Sequence, residues 1–151
     1  MTNAQYEQTK LWNIFDELLI QNGEPFEMLH EKGDEVTFWG VVNKKRSLVP
    51  LCLSLDFTIR KKNARINIYI QNDIPLYNYL YSHKEEIEAE LGFKPIWNDK
   101  CTKSHTRRIE YNIPFTPYNS EEYERVAETA LPIICAFKKV FEKYIPSLCD
   151  F

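Results

Sequence analysis

Glycine is scarce in this 151-residue chain, with four in all, and none sits in a run that could cradle a phosphate. A nucleotide loop needs closely spaced residues without Cβ so that backbone N–H groups can approach the phosphates, and neither common Gly-rich spacing is present. The four cysteines (Cys52, Cys101, Cys135 and Cys149) include no C-x-x-C pair, which leaves out the usual zinc and redox spacings. Cys52 and Cys135 stand inside apolar runs and are expected as small buried hydrophobes, with no disulfide. No apolar run approaches the roughly 20 residues that span a bilayer. "MTNAQYEQTKLW" has neither the basic start nor the apolar stretch of a signal peptide. A cytoplasmic chain without membrane association is therefore expected. Positive charge is lacking overall, the net charge being −3, so nucleic acid could be held only by a local patch.

What is present is the composition of one globular domain spanning residues 1–151, with 44% hydrophobic and 27% charged residues. Aromatics reach 14%, which points to a core rich in Tyr, Phe and Trp. Leu11, Ile14, Phe15, Leu18 and Leu19 recur at helical spacing from Ala4 to Gln21, and "NGEP" ends that helix. "VTFWGVV" (36–42), "LVPLCLSLDFTI" (48–59) and "ARINIYIQ" (64–71) then read as three strands of an antiparallel meander with basic turns. The period switches in "IPLYNYLYSHKEEIEAELG" (74–92), one helix with Leu76, Leu80, Ile87 and Leu91 on its stripe. "KPIW" (94–97) and "RRIEYNIPF" (107–115) give two more strands, and a last helix runs from Ser120 to Ile145. Ser120 is its expected N-cap, and Pro132 is expected to kink or divide it. The fold class is α+β: a largely antiparallel sheet of about five strands with three helices packed on it, in the order α-β-β-β-α-β-β-α.

Basic residues gather in two windows, Lys44, Lys45, Arg46, Arg60, Lys61, Lys62 and Arg65, then Lys94, Lys100, Lys103, Arg107 and Arg108. The turns at 43–47 and 60–63 fall at opposite ends of one strand, so they cannot form a compact patch, but a stripe along the sheet could carry phosphates. Trp39, Tyr69 and Trp97 would offer stacking faces. The candidate binding residues are Arg60, Lys61, Lys62, Arg65, Trp97, Lys103, Arg107 and Arg108. The plainer alternative is that Lys-rich turns keep a sheet soluble and discourage edge pairing. Strand alternation separates the two adjacent arginines: if Arg107 faces the core with Ile109 and Tyr111, Arg108 and Glu110 face outward.

Catalytic and metal signatures are weak. Cys101 and His105, with Asp99 before them, supply too few ligands for Zn²⁺, and His30, His83 and Cys149 come from separate elements. Glu86 and Glu90 share a helix face in the manner of a solvated surface. A restriction-nuclease core needs an acidic residue followed by a strand carrying D/E-x-K, which neither "DFTIRKK" nor "IEYNI" provides. No catalytic residue, metal or cofactor is expected.

The run from "INIYIQND" through "LYNYLYSHKEEIEAELGFKPIWNDK" to "TRRIEY" resembles a bacterial domain-of-unknown-function family. Its landmarks here are Lys84, Ile87, Glu88, Leu91, Gly92, Trp97, Arg108 and Ile109, and the likeness covers about residues 36–145. Many members of that family sit C-terminal to a nuclease domain of restriction-endonuclease type. The resemblance implies a role in DNA handling or defence, and this sequence lacks the nuclease-like domain in cis. The leading expectation is thus a non-enzymatic accessory module binding nucleic acid or a nuclease-type protein. A protein-interaction or homo-oligomerisation domain is the alternative, and an enzyme acting on a small anion through Arg107 or Arg108 is the third reading.

Overall fold

The amphipathic N-terminal run folds as α1 (Asn3–Asn22), burying Leu11, Trp12, Phe15 and Leu19. The computed structural model describes residues 2–22, 29–32, 36–40, 51–100 and 106–145, with the strands at 29–32 and 36–40 described as backbone. Strands β1 (Leu29–Lys32), β2 (Val36–Gly40), β3 (Leu51–Thr58) and β4 (Asn63–Gln71) follow. Helices α2 (Ile74–Ser82) and α3 (Lys84–Leu91), strands β5 (Ile96–Asn98) and β6 (Thr106–Pro114), and helix α4 (Ser120–Tyr144) complete the order. All strand pairs are antiparallel, in the spatial order β1-β2-β3-β4-β6-β5. The chain is α+β with helices on one side of an antiparallel sheet, as its hydrophobic periods indicate.

Four particulars differ from the sequence reading. The sheet has six strands among the described residues, because "LHEK" forms β1. That segment has no alternating apolar residues, and its backbone pairing with β2 is what makes it a strand. The helix expected over 74–92 is two helices meeting at His83, whose backbone sits at φ −103°, ψ 16°. Its N–H closes α2 on Leu80 and Tyr81, while its carbonyl accepts the first turn of α3 from Ile87 at 2.9 Å. The apolar stripe Leu76, Leu80, Ile87, Leu91 has no member at 83 or 84, so nothing apolar holds one straight helix down there. The cap of α4 is Asn119, not Ser120: its side chain accepts from the N–H groups of Glu121 and Glu122. Pro132 does not divide α4, which runs on through it. The exposed proline lies on the outer face, and the buried residues on either side, Leu131 and Ile134 nearest, hold the helix against the core.

The register puts alternating rows on one side of the sheet. Leu51, Leu53, Leu55 and Phe57 of β3 stand opposite Ile70, Ile68, Ile66 and Ala64 of β4. Those in turn face Arg107, Ile109, Tyr111 and Ile113 of β6. Against this side pack Trp12 and Phe15 of α1, whose rings lie 4.5 and 5.9 Å from Phe57. Phe137 of α4 stacks on Phe93 at 6.0 Å, and Phe93 meets the Tyr111 ring at 5.0 Å. Where α1 meets α4, the Tyr123 hydroxyl donates to Glu7 Oε1 at 3.1 Å and accepts from the Tyr118 N–H at 2.7 Å. Burial pushes this phenol up to about 12. Cys135, expected to be buried, is half-buried on α4. The side chain of Cys52, together with Cys101 and Cys149, lies outside the described residues. Among the described residues no helix is long and apolar enough to cross a membrane.

Candidate binding surfaces

Alternation gives β3, β4 and β6 a second, polar face, and the arginines of the two basic windows separate on it. Arg65 lies directly opposite Asp56. Its Nε and Nη2 both donate to Asp56 Oδ2, at 3.2 and 2.7 Å, and its Nη1 lies 4.0 Å from Glu110 Oε2. Arg108, opposite Tyr69, places its guanidinium 4.9 Å from that ring's centroid and donates to Asn67 Oδ1 at 3.4 Å. Asn67 donates to Ser54 Oγ at 3.0 Å, and Asn98 reaches Glu110 Oε1 at 3.5 Å. Ser54, Asp56, Asn67, Thr106 and Glu110 are all buried. Arg65 is therefore matched by Asp56 and Glu110, while Arg108 rests on the amide of Asn67 and covers the face of Tyr69. Of the two arginines only Arg65 has its charge compensated by carboxylates among the described residues of this face.

Arg60, Lys61 and Lys62 are exposed in the turn between β3 and β4, held by the Lys62 carbonyl accepting from Phe115 N–H at 3.0 Å. Arg108 pairs opposite Tyr69, seven residues beyond that turn and so roughly 23 Å away at a strand's rise. Arg107 is half-buried and donates to the Thr106 carbonyl at 3.0 Å. Its register is the one in which Ile109 faces the core and Glu110 the other side. Neither Arg107 nor Arg108 lines either of two grooves on the described surface, one of about 610 Å³ along α3 and one of about 240 Å³ between α1 and α4. Lys103, Cys101, His105 and the side chain of Trp39 lie outside the described residues. Among the described residues no three His, Cys, Asp or Glu side chains come together to hold a metal ion.

Trp97 belongs to a different surface. It sits on β5, the edge of the sheet, with its indole on the helix side, 5.6 Å from the Tyr81 ring and 6.3 Å from Tyr77. Its Nε1 donates to Glu88 Oε2 at 3.3 Å, tying the strand to α3. Tyr81 is half exposed, and Lys84 Nζ lies 5.5 Å over its ring. Ile96, which alternates to the other face, is 51% exposed. Beside them runs the larger groove, lined by Lys84, Glu85, Glu88, Ala89, Phe93 and Lys94. It leads into β5 through Gly92, whose left-handed backbone at φ 82° closes α3.

A family model described as a domain of unknown function, DUF4268, matches residues 8–145. The chain belongs to this family. The match takes in most of α1, every described strand and all of α4, so the DUF4268 domain is the fold described above rather than one part of it. No curated protein and no solved structure matches the chain.

The residues that sequence reasoning missed are Tyr81, Lys84 and Ile96 on this edge, and Asp56, Asn67 and Glu110 in the polar network. The i, i+4 spacing of Tyr77 and Tyr81 was available as a signal. So was the position of charged and amide residues in mid-strand within "LSLDFT" and "RINIYI".

Proposed function

We propose that this DUF4268 domain is a non-enzymatic binding module that engages protein through the β5 edge and the Tyr81–Trp97 surface beside it. One observation carries the reading: β5, the last strand of the sheet among the described residues, presents apolar side chains on both faces, Ile96 on one and Trp97 beside Tyr81 on the other. A chain added to such an edge gains backbone hydrogen bonds and side-chain contacts on either side. A cytoplasmic accessory role in bacterial DNA handling, beside a nuclease-type protein, is what the family resemblance adds. The test is calorimetric titration of the chain against a purified nuclease-type protein encoded beside it, with Ile96→Lys and Tyr81→Ala as variants. Both should weaken binding at least about tenfold while the folded spectrum is unchanged. Equal binding by both variants would remove this surface from the account.

Nucleic acid is a second reading, favoured by the three exposed cations Arg60, Lys61 and Lys62 in one turn. It requires steeply salt-dependent binding to DNA or RNA that charge reversal at those positions abolishes. A gel shift at low salt that shows no complex ends it.

A further inference from the structure

We draw no further inference here: the strongest candidate, the groove between α1 and α4 lined by Ile14, Leu18, Glu17, Glu124 and Glu128, is a cluster of acidic side chains, and nothing in the structure shows what covers it.

Discussion

Removing Arg65 should destabilise the chain far more than removing Arg65 and Asp56 together. Asp56 is 3% exposed, and both donors to its Oδ2 come from Arg65. Its other oxygen, Oδ1, is buried with no hydrogen-bond partner. Arg65→Met thus strips both of these donors from a buried carboxylate. Breaking a fully buried pair in this way costs about 3–5 kcal/mol. The Arg65 side chain is 29% exposed, so its loss of solvation was partial and the expected cost falls to about 2–3 kcal/mol. For a chain of this length that corresponds to a melting temperature lower by roughly 6–9 °C. Asp56→Leu with Arg65→Met removes both charges from the same rung and should return to within about 1 kcal/mol of the parent. Urea unfolding at neutral pH reads both variants, provided the slope stays constant. Equal destabilisation by the single and double variants would refute the claim that Arg65 acts by compensating Asp56. So would a single variant within about 0.5 kcal/mol of the parent.

Other predictions bear on the helix ends and the two exposed surfaces. The Tyr123 phenol is raised from 10.0 to about 12 by burial, so the unfolded chain ionises first. Its stabilising contribution is complete below pH 10 and is lost as pH rises toward 12, a loss on the order of 2 kcal/mol that Tyr123→Phe should remove from the alkaline unfolding profile. Asn119→Ala should cost about 1 kcal/mol by freeing the N–H groups of Glu121 and Glu122, whereas Ser120→Ala should cost much less. Gly92→Ala should cost about 1 kcal/mol although no atom lies within 4 Å of the added Cβ, because the backbone there is left-handed. Charge reversal at Lys61 and Lys62 should leave the urea midpoint and any binding at β5 unchanged, since both side chains are exposed and that turn lies away from β5.

The α+β class and every long element could be read from hydrophobic period alone, because each buries a complete face: the stripe of α4, the isoleucines of β4, the leucines of β3. What could not be read is what backbone geometry and cross-strand partners decide. "LHEK" becomes a strand by pairing rather than by propensity, and the α2–α3 break depends on an absent apolar residue at 83–84. The basic windows were visible as residues, but their meaning was not. A strand sequence does not say that Arg65 will lie opposite Asp56, or that Arg108 will cover Tyr69; register decides both. Trp97 stood out in the sequence, while its partners Tyr81 and Lys84 come from another element and meet it only in the folded chain.

The central claim is that the β5 edge takes up another chain, and amide hydrogen exchange at Ile96 and Trp97 tests it most directly. On addition of the nuclease-type protein these two amides should show slower exchange, those of the Arg60–Lys62 turn should stay as they are, and Ile96→Lys should abolish the slowing. Exchange at Ile96 and Trp97 that is independent of added nuclease-type protein would contradict the account.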